Sequence, residues 1–450
     1  MSVKSGQKLS ILQAIKGMED LLPTEAAKYD YVESTARNLF PLYGYGEIRT
    51  PILESTELFA RSVGDASDVV VSKQMYTFVD AGERSNTMRP EGTAGVVRAL
   101  IEHGTLKEQP QQKLFYIGPM FRYEKPQKGR LRQFHQIGTE FFGVAHPGAD
   151  VEIIALCDTY LRKLGFRNIV TKVNNIGCRE CRKAYNAMLR ETIQSSASVP
   201  PAASTSNAAL AQSHAATAAP SSRSAQNQWC EQCLERARVN PMRVFDCKVA
   251  RCNQLVAALP RMKDYLCEAC RTHFAGVVRL LDAAKIPYEL DESLVRGFDY
   301  YTRTVFEVMQ GNIGAQSAIL GGGRYDYLVE ELGGPPTPGV GFGIGIERLL
   351  LAMEANGLTF PALAAPEIYA LALDEESIPA IFAYVQRARE GGKRVAFDCQ
   401  PRSAKAGLKA ANRVGAQVAV IVGSDEVIRG VAQRKNLSTG EQTEVPLAEL

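Results

Sequence analysis

Hydrophobic and polar positions alternate along Lys113 to Tyr123, Phe134 to Phe142 and Tyr300 to Val308. Such a period-2 pattern predicts strands, because successive side chains of a pleated chain point to opposite faces. Joined by hairpins, these strands suggest an antiparallel sheet. A helical run, Ile346 to Glu354, ends in a stretch from Asn356 to Pro366 that holds one Gly and two prolines, and there the pattern changes. Beyond it the chain reads as strand (Ile368 to Leu373), helix (Ile378 to Glu390), strand (Arg394 to Cys399), helix (Ala404 to Val414) and strand (Val418 to Val422). That alternation predicts a parallel-leaning sheet flanked by helices. Residues 195–227 follow neither period: they are mostly Ala, Ser, Thr and Pro with Arg223 as the one charge, too poor in bulky apolar groups to offset the entropy of ordering. They read as a flexible insertion.

Composition narrows the class of protein. At 450 residues the length suggests about three domains. Apolar residues make up 45% and charged residues 22%, which excludes a wholly disordered, collagen-like or membrane-embedded chain. The charge balance, 52 − 49 = +3, argues against coating nucleic acid by bulk positive charge, so any RNA or DNA partner needs local basic patches, and composition alone leaves the partner open. No membrane partner is expected. The first 23 residues lack the apolar core of a secretion signal, and no run approaches 18 apolar residues. A cytoplasmic protein is expected, its ten cysteines serving as thiols or metal ligands. Eight of them lie between Cys178 and Cys270. The expected organisation is one globular domain in two segments, 1–177 and 271–355, interrupted by a Cys-rich module, 178–270. A linker, 356–366, and a final α/β domain, 367–450, follow.

The stretch Phe121 to Glu140 carries the densest candidate chemistry. Around a loop at Lys125 to Arg132, period 2 puts Arg122 and Glu124 on one face, opposite Phe121 and Tyr123. Phe134, Gln136, Gly138 and Glu140 share a face of the return strand, with His135, Ile137, Thr139 and Phe141 on the other. A ring to stack on a base, a Gly for close approach, an Arg for phosphate oxygens and a carboxylate for an amine or imidazole would make a nucleotide-plus-amine site. Spacing alone equally describes a solvated hairpin face. In LVRGFDYYTRTVFE, Gly297 beside Arg296 predicts a tight turn before a strand bearing Tyr300, Tyr301 and Arg303; a solvated strand entry reads the same way. The glycines of GGGRYD suggest backbone approach to a ligand or a plain hairpin turn. Those of GVGFGIGIER fit either a flat ligand against the sheet or close helix packing. Thr93 is placed to cap a helix, and Glu91 either faces that helix's macrodipole or pairs with a substrate ammonium.

Together these stretches, with RTPILESTELFARSVG around Pro51, resemble the histidyl-tRNA synthetases, a family of class II aminoacyl-tRNA synthetases. The match runs over nearly the whole chain, with five motifs in order. The resemblance implies an α+β fold: a class II antiparallel sheet flanked by helices, in a homodimer, with a C-terminal α/β anticodon-binding domain. It implies a ligase that joins L-histidine to ATP as histidyl-adenylate and passes histidine to tRNA(His), with Mg2+ bridging the outer phosphates and no DNA partner. Arg122 would hold the α-phosphate, Arg130 and Arg348 the outer phosphates, and Phe134 the adenine. Glu91, Thr93 and Gln136 would hold the substrate amino group, Glu140 and Tyr301 beside Tyr300 the imidazole, with Tyr325 closing the pocket. Arg296 would be the catalytic arginine, bridging the histidine carboxylate and the α-phosphate.

Two positions depart from the family pattern: Gln74, where a Glu is usual, and Gly407, in a predicted helix where a Gln is usual. Gly407 is expected to cost roughly 1 kcal/mol relative to Ala and to weaken contacts on the tRNA side. The cysteine dyads Cys178/Cys181, Cys230/Cys233, Cys247/Cys252 and Cys267/Cys270 suggest two structural Zn2+ sites of four cysteines each. Three pairings of the dyads are possible, and free thiols are the alternative. Cys157 and Cys399 read as core thiols. A rival class, resembling the synthetase-like regulatory subunit of ATP phosphoribosyltransferase, lacks the C-terminal domain and has lost arginine ligands that this chain keeps. A tRNA-sensing module would need an attached kinase domain, and the HIGH-like and KMSKS-like stretches of class I synthetases are absent from the sequence.

Overall fold

The structure is a computed structural model and describes residues 11–63, 74–197, 229–295, 299–310 and 318–448. The chain divides between Phe360 and Pro361 into two compact units. Among the described residues, the first unit has the strands β1 (Gly46–Glu47), β2 (Leu53–Ser55), β3 (Tyr76–Val79), β4 (Ser85–Met88), β5 (Gln112–Phe121), β6 (Gln133–Phe142), β7 (Ile169–Asn175), β8 (Tyr288–Leu290), β9 (Thr302–Gln310), β10 (Ala318–Arg324) and β11 (Gly339–Gly345). Eight form one sheet in the order β1-β5-β6-β11-β10-β9-β7-β8. Its six central strands are antiparallel neighbours, and only the edge pairs β1/β5 and β7/β8 run parallel. Strands β2, β4 and β3 make a small separate sheet.

The pleat of β6 decides what each face of the large sheet does. Ile137 and Phe141 point into a core with Val340, Phe342 and Ile344 of β11, covered by the helices Pro23–Leu39, Pro147–Lys163, Glu268–Ala283 and Ile346–Ala355. Phe134, Gln136 and Glu140 point the other way, into a cavity. The helix Pro147–Lys163 begins with proline, whose fixed φ suits the first helical position. It buries Asp150 in its first turn against Arg324 at the end of β10, Nε to Oδ1 3.1 Å, both side chains fully buried. Burial pushes the Asp150 carboxyl up, but the charge of Arg324 and the hydrogen bonds from His273 and Arg324 outweigh it and hold the group at about 2. That pair fixes the strand end from which Tyr325 departs.

The predicted strands are present, with ends shifted by one or two residues because Arg122 and Tyr123 belong to the turn and Tyr300 and Tyr301 precede β9. Residues 198–228, most of the predicted flexible insertion, lie outside the described residues. Its first residues, 195–197, instead complete the helix Arg179–Ala197.

The second unit has strands β12 (Ile368–Ala372), β13 (Val395–Phe397), β14 (Val418–Val422), β15 (Val431–Asn436) and β16 (Gln442–Pro446), in the order β13-β12-β14-β15-β16. The first three run parallel, flanked by helices Ile378–Glu390 and Ala404–Arg413, and the last two add an antiparallel edge. Two expectations fail here. Cys399 is exposed, not a core thiol, because β13 ends at Phe397 and the chain turns through φ 60° at Cys399; Cys157 is buried in the first unit's core. Gly407 is no defect: a Cβ there would overlap the Leu371 side chain, so the missing side chain lets the helix sit close on β12. Among the described residues, no helix is long and apolar enough to cross a membrane.

Candidate active site

One cavity of about 470 Å³ opens on the polar face of the large sheet. Arg122, Arg130, Phe134, Arg348, Glu91, Thr93, Gln136, Glu140, Tyr300, Tyr301 and Tyr325 all line it. Arg296 and Gly297 lie outside the described residues. On β6, Phe134 and Glu140 are six residues apart, about 20 Å along an extended strand, so the cavity has two ends of opposite character.

At one end lies Glu140, almost wholly buried. Tyr325 donates its hydroxyl to Oε2, and Thr93 Oγ1 donates to Oε1 at 2.6 Å. Burial raises the Glu140 carboxyl to about 8, against the lowering effect of the Thr93 and Tyr325 hydrogen bonds. Tyr300, Tyr301 and Tyr325 close this end, with ring centroids 4.8 to 6.5 Å apart. A register shift where β10 leaves β9, with Arg303 at φ 49°, turns the chain so that both Tyr300 and Tyr301 reach the cavity.

Glu91 lines the same end and also starts a helix, its two carboxylate oxygens accepting from the backbone N–H groups of Thr93 (2.6 Å) and Ala94 (2.8 Å). Thr93 is therefore not the cap. Gly92 occupies the N-cap of helix Thr93–Glu102, Glu91 satisfies the open donors, and the Thr93 hydroxyl is released toward Glu140. Burial raises the Glu91 carboxyl, while the Ala94 and Thr93 donors pull it down.

The other end is cationic. Arg122 is tied by Nε to Pro90 O at 2.9 Å, and its guanidinium lies 5.1 Å from the Phe134 ring centroid. Arg348, in the first turn of helix Ile346–Ala355, and Arg130, from the β5–β6 loop, complete the group. Burial, then the nearby Arg130 charge, lowers Arg348; burial likewise lowers Arg122, with Arg130 adding to it against Glu124 and Glu91. Three guanidiniums held together against their own repulsion favour a polyanion. Glu124 and Glu307 line this cavity too.

The glycines of β11 have a different use from either one expected. A Cβ at Gly339 would overlap the Tyr325 ring, at Gly341 the Glu140 carboxylate, and at Gly343 the Gln136 amide. The strand is a bare track across which the cavity's own polar side chains lie flat; only Gly345 has nothing within 4 Å. Gly138 is filled likewise: a Cβ at Gly138 or Gly92 would collide with the Tyr116 ring, so this glycine admits a neighbouring tyrosine and not a ligand. Tyr116 was accessible to sequence reasoning, since it continues the period-2 face of Arg122 back along β5. Arg243 also lines the cavity and had no local signal, because the Cys-rich segment brings it there. That segment is distant in sequence from the other lining residues, and it reaches the cavity through Arg243.

A six-stranded antiparallel core with a carboxylate at one end of its cavity and arginines at the other is the architecture of a class II aminoacyl-tRNA synthetase. The family model for histidyl-tRNA synthetase matches residues 17–349, and that for an anticodon-binding domain matches residues 368–450. The chain is 42% identical to a histidine–tRNA ligase of Caldanaerobacter subterraneus subsp. tengcongensis and 43% identical to one of Halothermothrix orenii, each alignment covering 98% of both chains. The crystal structure of apo Staphylococcus aureus histidyl-tRNA synthetase superposes with a TM-score of 0.76 at 33% identity, covering 97% of this chain and 98% of that one. This chain belongs to the histidyl-tRNA synthetase family.

Proposed function

We propose that the chain activates L-histidine with ATP to histidyl-adenylate, releasing pyrophosphate, and then transfers histidine to the 3′ end of tRNA(His), acting in cytoplasmic translation. The observation that carries this reading is the single cavity with a buried Glu140–Tyr325 pair at one end and Arg122, Arg130 and Arg348 at the other. The histidine carboxylate attacks the α-phosphorus in line, and pyrophosphate leaves. Both reactants are anionic, so fixed positive charge aimed at the transition state is the main requirement. Arg122 serves the α-phosphate, Arg130 and Arg348 the outer phosphates, and Phe134 the adenine; Arg296 is assigned to the α-phosphate and the histidine carboxylate from the sequence alone. Glu124, which pairs with Arg130 at 3.6 Å, and Glu307 line the cavity and would hold a Mg2+ ion, which would neutralise the outer phosphates.

Glu140, Tyr300, Tyr301 and Tyr325 recognise the imidazole, and Glu91, Thr93 and Gln136 the ammonium. A wrong side chain leaves Glu140 buried and unpaired, which gives large discrimination without editing. In this reading residues 1–177 and 271–355 carry the chemistry around the inserted module 178–270, which holds structural zinc, and residues 367–450 bind the anticodon. A homodimer is proposed as well: Ile52, Leu53, Phe78 and Val79 leave 42–67% of their surface exposed on and beside the small sheet, apolar area that a second copy would cover.

The test is histidine-dependent exchange of labelled pyrophosphate into ATP without tRNA, with wild type, Arg122→Ala and Arg296→Ala side by side. Exchange that collapses in both variants is expected. A folded, histidine-binding wild type that gives none would overturn the ligase reading in favour of a catalytically silent regulator.

A further inference from the structure

All ten cysteines are free thiols, yet eight of them gather into two tetrads: Cys178, Cys181, Cys267 and Cys270, and Cys230, Cys233, Cys247 and Cys252. Of the three pairings open to the sequence, the fold takes the first dyad with the fourth and the second with the third. Within each tetrad every sulfur lies within 4.8 Å of the others. Cys178 Sγ is 3.5 Å from Cys181 Sγ, and Cys230 Sγ is 3.8 Å from Cys247 Sγ. A tetrahedral ion with metal–sulfur bonds of about 2.3 Å has sulfur–sulfur edges of about 3.8 Å, whereas a disulfide needs about 2.05 Å. The space inside each tetrad suits a single ion and not a multi-iron cube.

Backbone N–H groups point at the sulfurs from outside: Cys267 N to Cys181 Sγ at 3.1 Å, Cys230 N to Cys252 Sγ at 3.3 Å, and Val249 N to Cys247 Sγ at 3.4 Å. Such donors stabilise thiolates and orient them as ligands. Ordinary apolar packing of cysteine does not account for this arrangement. Cys267 is exposed and Cys178 and Cys230 are half-exposed, yet their sulfurs converge on buried partners instead of spreading among aliphatic side chains.

The tetrads bear on the active site through what they anchor. The first joins the start of helix Arg179–Ala197 to the start of helix Glu268–Ala283, and Arg182 of the former donates to Asp299 O at 2.9 Å. The second closes a loop that carries the turn Pro241–Asp246. From that loop Arg243 lines the active-site cavity, and the Asn240 amide hydrogen-bonds the Asp299 carboxylate. Asp299 stands directly before Tyr300 of the histidine end.

We propose that the chain binds two structural zinc ions, one in each tetrad, and that the second ion fixes the Pro241–Asp246 turn so that Arg243 and Asn240 hold the cavity wall. The soft, four-sulfur tetrahedral donor set suits Zn2+ and disfavours the hard ions Mg2+ and Ca2+. The metal assignment is independent of the ligase reading; only the activity readout below rests on it.

Metal content of the purified full-length chain is measured by plasma mass spectrometry, beside Cys267→Ser and Cys230→Ser. The expected result is two zinc per wild-type chain and one in each variant. Growth with Co2+ should give the intense visible bands of tetrahedral cobalt–thiolate, which reads the site in wild type even if a variant fails to fold. A folded wild type with no metal and tetrad thiols that titrate readily overturns the proposal, as does one zinc per chain, or iron in place of zinc.

The positioning part is tested by Arg243→Ala and Cys247→Ser. Both should lose pyrophosphate exchange by about tenfold to 10²-fold, Arg243→Ala with two zinc retained and Cys247→Ser with one. Full exchange in a Cys247→Ser chain that has lost its zinc overturns that part. Two zinc in a wild type with no exchange would instead count against the ligase reading and leave the metal assignment standing.

Discussion

Gly341→Ala tests whether the bare strand beneath Glu140 makes the histidine end of the cavity. Glu140 and Gly341 are paired across β6 and β11. A Cβ at 341 would come within 3.0 Å of Glu140 Oε2, its carboxyl carbon and the carbonyl oxygen of Thr139. The Thr139 carbonyl is sheet backbone and cannot move alone, so β11 must ease away from β6 at this pair and the carboxylate must retreat by about 1 Å. Glu140 has no slack for that, being held by Tyr325 on one oxygen and by Thr93 at 2.6 Å on the other. A displacement of that size costs about 10²-fold in rate, and forcing a methyl into a packed site costs about 1–3 kcal/mol of stability. Pyrophosphate exchange at varied histidine and varied ATP separates the two ends: kcat/KM for histidine should fall about 10²-fold, while the KM for ATP stays within about threefold. Gly345→Ala is the stability control, on the same strand and face with nothing within 4 Å. Normal kcat/KM for histidine in a folded Gly341→Ala chain would refute the reasoning, because the track under Glu140 would then have room to spare.

Three further outcomes are expected. Asp150→Asn should lower stability by about 3–5 kcal/mol in urea titrations, since it leaves the Arg324 guanidinium buried without its main counter-charge. Because Asp150 is held at about 2, below the usual carboxyl value of about 3.9, its stabilisation is present above that value and is lost as pH falls toward 2. The gap between wild type and variant should therefore narrow below pH 4. Burial raises the Glu140 carboxyl to about 8 in the empty cavity; a bound imidazole, ordinarily near 6.5, binds there as the imidazolium, because pairing with the buried carboxylate favours the charged form of both groups. At pH 9 the carboxyl has already ionised, so calorimetry in buffers of different ionisation enthalpy should find wild type taking up about one proton more than Glu140→Gln on binding histidine; equal uptake would count against this role. Gly407→Ala should destabilise the second unit by about 1–3 kcal/mol through overlap with Leu371, despite a gain of about 1 kcal/mol in helix propensity. A rise in its melting temperature would show that the helix can move off β12.

The strands and the split of β6 into a core face and a cavity face were legible because a two-residue period is a local property of the chain. Phe134, Gln136 and Glu140 fell on one side by counting alone, and Arg122 by the same count on the neighbouring strand. What was not legible depended on partners distant in sequence. Arg243 enters the cavity from a segment whose own pattern says nothing of it, and the pairing of the cysteine dyads is decided by which helix starts meet. The Glu91 capping bonds were half legible: a carboxylate before a helix was expected, but not that taking over the cap leaves Thr93 free to serve Glu140.

The glycines separate local from non-local information most clearly. A glycine announces that something comes close and says nothing of what it is. At Gly407 it is a leucine of the adjacent strand, at Gly138 a tyrosine ring, and along β11 the glutamate, glutamine and tyrosine of the cavity itself. Reading those glycines as room for a ligand or for a helix places the ligand one layer too deep. The polar side chains lie against the backbone first, and substrate can meet only the surface they form. Glu140 is thereby immobilised from below by the sheet and from the sides by Tyr325 and Thr93, which is the condition for a buried carboxylate to distinguish one ring from another.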